Sequence, residues 1–189
     1  MLSLRTPSPA VVDALLHEQQ DEPFSYPEVG GTDGTFPDDY QHVRHEVDLG
    51  HGPEVFDRAV DGLRRWQAHV RAGVAVRPPH ALVQEGLTVA LTVPVAGLYV
   101  SVACRVVYVV EQLGRWGFAY GTLPHHMVEG AEAFIVEGDE ADTVRFGVSA
   151  FSRPRGPVSR ALTPAVRVLD HRIARRYLRG LQQHVAERA

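Results

Sequence analysis

Two residues six positions apart, His126 and Glu132, are the best polar pair in this sequence. A neutral imidazole and a carboxylate can share a proton where they converge within hydrogen-bond reach. Tyr120, at the end of the preceding apolar run, adds a phenol donor. The plainer alternative is that His126 braces a turn and Glu132 pairs with an arginine. Both readings stay open. His125, His126, Glu129 and Glu132 also have the residue types of a metal site. Their spacing fits no established ligand motif, and no metal or other cofactor is expected.

Arg105 interrupts an apolar stretch running from Leu98 to Val110. Its planar fork suits a ligand carboxylate or phosphate. Alternatively it pairs with Glu132 or another acid, because a lone buried charge is costly. Together Arg105, Tyr108, Tyr120 and Glu132 would supply the few polar contacts that a small-molecule pocket uses. Ser152 and Arg153 before Pro154 read as a turn with a capping hydroxyl. The sequence holds no Gly-x-Ser-x-Gly elbow, P-loop, dinucleotide fingerprint or Cys-x-x-Cys pair. That argues against nucleotide hydrolysis and Rossmann-type redox chemistry.

Charge is unevenly spread. All 19 basic residues are arginine. From Arg153 onward nine arginines face two acids, Asp170 and Glu187, a formal +7, whereas residues 1–152 carry a formal −11. The basic segment ends in a face of Arg172, Arg175, Arg176 and Arg179. That face can dock an acidic partner or an anionic membrane surface, or simply meet water. The net charge is −4, and no stacking aromatic interleaves these arginines, so nucleic acid is not the expected partner.

The elements that must position these residues follow from the periodicity. A chain of 189 residues is expected to form one domain with a core large enough to need no disulfide. Cys104 is the single cysteine, and no stretch is long and apolar enough for a membrane helix. The N-terminus lacks a signal-peptide layout, which points to a soluble, cytoplasmic protein. Residues 1–40 read as an irregular N-terminal segment with a short helix at Val11 to Glu18, pinned by Phe24, Tyr26, Phe36 and Tyr40. Residues 41–189 read as the folded domain.

Within it, Gln41 to Leu49 alternates as a half-buried strand. Pro53 opens an amphipathic helix carrying Phe56, Val60, Leu63, Trp66 or Gln67, and Val70, stopped by Gly73. Period-two runs follow at Leu87–Val93, Val100–Tyr108, Trp116–Tyr120, Glu132–Glu137 and Thr143–Phe151, joined by short turns, as in an antiparallel meander. Thr163 and Pro164 then open a long helix with Val166, Leu169, Ile173, Tyr177, Leu181 and Val185 on one stripe. The expected fold is α+β: a curved antiparallel sheet wrapped around the C-terminal helix. This helix-grip arrangement resembles START and Bet v 1-like folds, in which a cavity commonly lies between sheet and helix.

Several strings resemble the DUF1990 (UPF0548) family from about residue 22 to 182. They are Arg105-Val106-Val107-Tyr108, Gly117-Phe118-Ala119-Tyr120-Gly121-Thr122-Leu123-Pro124, Glu132-Ala133-Phe134, Ala150-Phe151-Ser152-Arg153-Pro154 and Arg175-Arg176-Tyr177-Leu178. The resemblance implies no established activity. His126, Gly130 and Glu132 fit the family's pattern after the Leu-Pro. His125, Met127, Val128 and Ala131 replace its usual glycine, proline and two glutamates. Chemistry carried by that loop would be altered in this member.

The function expected is binding of a small, largely apolar ligand bearing a polar or anionic group, in a cavity between sheet and helix. One alternative is a small enzyme using His126, Glu132 and Tyr120. Another is an interaction module working through the arginine face. The sequence sets no oligomeric state.

Overall fold

The alternating runs become one antiparallel sheet. The computed structural model describes residues 1–156 and 163–187. Its strands are β1 (Leu2–Ser3), β2 (Gln41–His51), β3 (Ala75–Arg77), β4 (Thr88–Val95), β5 (Leu98–Gln112), β6 (Arg115–Thr122), β7 (Val128–Gly138) and β8 (Thr143–Pro154). Their hydrogen-bonded order is β2-β8-β7-β6-β5-β4-β3, with β1 paired to β5 beyond the end of β6. Its main helices are α1 (Pro9–Gln19), α2 (Pro53–Arg64), α3 (Gln67–Arg71) and α4 (Thr163–Ala186), with a 3-10 turn at Gly31–Asp33. The sheet curls around α4, the helix-grip arrangement that the period-two runs and the final stripe predict.

Register sorts every strand into two faces. The inner face, toward α4, carries Val43, Val89, Leu91, Val102, Val106, Phe118, Tyr120, Phe134, Phe146 and Val148 in one apolar cluster. Each fully buried phenylalanine there stabilises the fold by about 1.5–3 kcal/mol. From α4, Ala174, Tyr177, Leu178, Leu181 and Val185 close over this layer. The side chain of Val166 lies outside those described. Gly180 allows α4 to cross α3 closely: a Cβ there would sit 2.5 Å from the Ala68 carbonyl oxygen.

The helix expected from Pro53 to Arg71 is broken. Trp66 adopts a left-handed conformation (φ 58°), ending α2 and starting α3 in a new direction. The turn drives both Trp66 and His69 into the core and leaves Val70 49% exposed, against its expected place on the buried stripe. Burial of an indole and an imidazole together outweighs the cost of one αL residue.

Residues 1–40 are more ordered than their proline and glycine content suggests. They contribute β1 and α1, and they cover the outer face of the sheet. There Tyr26, Phe36 and Tyr40 surround Phe151 edge to face, with ring centroids 5.7, 5.6 and 5.0 Å away. Gly121 makes room for this cover. A Cβ in its place would meet the Tyr26 hydroxyl at 2.2 Å.

Candidate functional site

Where the inner face meets the N-terminal half of α4, the described side chains do not fill the space. A cavity of about 200 Å³ remains. Its walls are mainly aliphatic: Leu91 and Val93 of β4, Val100 and Val102 of β5, Leu169 and Ile173 of α4. Met127, 40% exposed, lines it from the loop between β6 and β7. A dry apolar void of about 150 Å³ is enough to hold benzene, so the space suits one ring with a short chain.

The polar groups of the cavity gather around Glu132. Tyr120 and Glu132 are direct cross-strand partners on β6 and β7, both on the inner face. The Tyr120 phenol donates to Glu132 Oε2 at 2.7 Å. Behind it, His69 of α3 lies with Nε2 3.3 Å from the same phenol oxygen. The His69 ring packs against Tyr177 and Phe134, centroids 4.4 and 4.7 Å away. Asp170 enters from α4 and accepts a bond from Ser152 Oγ at 3.0 Å. Glu132 Oε1 and Asp170 Oδ1 have no hydrogen-bond partner among the described residues.

Burial sets the protonation of this group. It pushes the Glu132 carboxyl up to about 7, with Asp170 adding to the rise and the Tyr120 hydrogen bond opposing it. It pushes Asp170 up to about 6, against the Ser152 bond and the nearby His171. It holds His69 down at about 3. His126 is held at about 4, first by burial and then by the Met1 ammonium. Tyr120 and Tyr177 are both driven well above the usual phenol value, chiefly by burial and then by the Glu132 charge. The site is therefore a set of neutral donors around carboxyls that can lose a proton near neutrality.

The residues singled out from the sequence fall on both sides of the sheet. Tyr120 and Glu132 line the cavity together. His126 also lines it, but no hydrogen bond or ion pair joins it to Glu132 among the described residues; its Nδ1 accepts the Val128 N–H at 3.1 Å. The histidine within reach of Tyr120 is His69 instead. Arg105 does not enter the cavity and does not pair with Glu132. It sits on the outer face, bonded to Thr88 Oγ1 at 3.0 Å, and caps the end of α1 through the Gln20 carbonyl at 2.6 Å. Tyr108 is also outside, its hydroxyl 2.8 Å from Thr32 Oγ1. A bulge between Val106 and Tyr108 inserts one residue into β5 and reverses the parity that had placed Tyr108 beside Val106.

The four metal-type side chains do not converge. His125 is exposed near Glu18, Glu129 pairs with Arg153 at 2.5 Å on the outer face, and His126 and Glu132 face inward. Ser152 is not a turn cap: it lies within β8 and holds Asp170. Arg172, Arg175, Arg176 and Arg179 are exposed on α4, and none makes an ion pair among the described residues.

Three contributors, His69, Asp170 and Tyr177, were not picked out as site residues. Asp170 carried a signal. It is the sole acid within α4, and it shares the stripe of Ile173 and Tyr177 at a spacing of three and seven. An acid on an apolar stripe of a basic helix is a cavity candidate. His69 gave no such signal, because its inward turn depends on the break at Trp66.

Comparison with known proteins agrees with this architecture. Residues 25–180 match the model of the family described as a domain of unknown function, DUF1990. A UPF0548 protein of Deinococcus radiodurans is 37% identical over 195 residues, covering 96% of this chain and 97% of that protein. Among solved structures, a hypothetical protein of Helicobacter pylori superposes with a TM-score of 0.60 at 15% identity, over 86% of this chain and 96% of its own. An aromatase/cyclase from a Streptomyces species does so with a TM-score of 0.53 at 16% identity, over 79% and 95%. The chain belongs to the DUF1990 (UPF0548) family, and its fold is the Bet v 1-like helix grip.

Proposed function

We propose that this DUF1990 domain binds one small, largely apolar molecule between the inner face of its sheet and α4. The observation that carries this reading is an unfilled cavity with aliphatic walls and a hydrogen-bonded Tyr120–Glu132 pair lining it. Native cores are packed to the density of organic crystals, so a void of this size costs stability unless something occupies it. Polar groups arranged along an apolar wall are how small-molecule pockets fix orientation. The setting we infer is cytoplasmic, which the single unpaired Cys104 permits. No helix among the described residues is long and apolar enough to cross a membrane.

Native mass spectrometry of freshly purified protein, followed by solvent extraction, tests the reading. The expected result is a discrete added mass that disappears in Leu169→Trp, whose indole would fill the cavity from α4. An added mass that survives this substitution, with the fold intact, would place the ligand elsewhere.

A second reading is favoured by the Glu132 carboxyl being pushed up to about 7. A carboxyl of that acidity can give or take a proton at neutral pH. On this reading Glu132 is the acid–base group and Tyr120 orients it, with His126 outside the pair. The Streptomyces aromatase/cyclase supports only the point that this fold can carry an enzyme. Turnover of an extracted ligand that is lost in Glu132→Gln while binding persists would select this reading.

A further inference from the structure

Among the described residues that line the cavity are two carboxyls and no arginine. Glu132 on β7 and Asp170 on α4 both line it, each raised by burial, with Asp170 raising Glu132 further. Each spends one oxygen on the wall, toward Tyr120 and Ser152 respectively, and leaves the other without a partner among the described residues. Arg105, the arginine that the sequence offers to the site, is turned to the outer face, and no other arginine lines the cavity among the described residues. Against these residues a carboxylate or phosphate ligand would meet two like charges.

Resting on the binding reading above, we infer that the ligand of this cavity is an amine, its protonated nitrogen held between Glu132 and Asp170 and its apolar body against Val100, Val102, Leu169 and Ile173. An ammonium supplies up to three donors, which suits two free carboxylate oxygens. It also supplies the charge that lets both carboxyls ionise inside an apolar wall, where an unpaired charge is costly. The volume limits the body to about one ring and a short chain.

The other titratable groups that line the cavity among the described residues, and His69 behind them, stay neutral across the useful pH range. Tyr120, Tyr177 and Cys104 are pushed upward by burial and keep their protons. His69 and His126, at about 3 and 4, are uncharged above pH 5.5. His171 lies beside Asp170 and the Met1 ammonium beside His126, both outside the cavity lining. Glu132 and Asp170 thus govern the pH response. A protonated carboxyl cannot pair with an ammonium, so amine affinity rises with pH as the two carboxyls ionise.

Calorimetric titration with 3-phenylpropylamine, 3-phenylpropan-1-ol and 3-phenylpropanoate, which share one skeleton, separates the possibilities. The amine is expected to bind at least tenfold more tightly than the alcohol at pH 7.5, with the carboxylate weakest. Its affinity should climb at least fivefold from pH 5.5 to 7.5 while that of the alcohol stays flat. Glu132→Gln and Asp170→Asn, each confirmed folded by circular dichroism, should each remove most of the amine's advantage and leave alcohol binding in place. Alcohol or carboxylate binding as tight as the amine's overturns the amine assignment and leaves the cavity reading standing. If none of the three binds at millimolar concentration, the cavity reading itself fails, and the amine assignment with it.

Discussion

Ala150 and Phe151 are neighbours on β8 and face opposite ways. Ala150 looks onto the cavity beneath α4. Phe151 is fully buried on the outer face, ringed by Tyr26, Phe36 and Tyr40 from the N-terminal segment. The charged groups divide in the same way. On the outer face Arg153 pairs with Glu129, and Arg105 closes the end of α1. On the inner face Glu132 and Asp170 have hydroxyl partners and, among the described residues, no ion pair. One sheet thus carries a face finished by its own chain and a face left incomplete. The paired face does structural work, and the unpaired one has room for a ligand.

The sharpest test of that contrast is substitution at the two neighbouring positions. Phe151→Ala should cost about 3–5 kcal/mol, because it empties a packed aromatic cluster. Ala150→Val should change stability by less than about 1 kcal/mol, since its methyl groups enter existing space. Urea unfolding of both variants measures this, and equal losses would mean that the inner face is as tightly packed as the outer.

The next largest effect is pH-dependent. The folded-state pKa of Glu132 is raised from 4.5 to about 7, so the folded protein holds a proton that the unfolded chain releases. This contribution is full below pH 4.5 and is lost as pH rises through 7. Glu132→Gln keeps the acceptor for Tyr120 and cannot ionise. It should therefore be more stable than the wild type by about 1–3 kcal/mol at pH 8, with the gap closing by pH 5. Thermal melts at the two pH values decide it. A gap independent of pH would show that Glu132 is not desolvated.

A smaller effect belongs to Arg105. Arg105→Gln removes the bond to the Gln20 carbonyl and should cost about 1 kcal/mol, loosening α1 and hastening proteolysis near residue 20. Occupancy of the cavity should not change. A loss of ligand with α1 intact would return Arg105 to the site.

The smallest effect is expected from replacing Arg172, Arg175, Arg176 and Arg179 together by Gln. These exposed side chains make no ion pairs among the described residues, so stability should move by no more than about 0.5 kcal/mol in all and ligand uptake not at all. Loss of the bound mass in that variant would shift the function to the helix surface.

How much of this was legible follows from what each signal measures. Period-two alternation reports that a strand has two faces; the pairing of Tyr120 with Glu132 on one of them comes from the β6–β7 register. It does not say which face encloses a cavity, so the ligand contact expected of Arg105 falls on the wrong side of the sheet. Nor does alternation survive a bulge, which is why Tyr108 was misplaced. The Gly117-to-Pro124 string marked the family, and its Gly121 proves to serve the outer cover, leaving room for Tyr26. The helix break at Trp66 depends on burial across the whole core and hid His69 from any local pattern.

The most direct test of a ligand-holding inner face is a crystal structure grown with 3-phenylpropylamine. The expected result is ligand density inside the cavity, its ring against Val102 and Ile173 and its nitrogen within hydrogen-bond distance of Glu132 and Asp170. A cavity closed by its own side chains, with the amine found only on the outer surface, would contradict it.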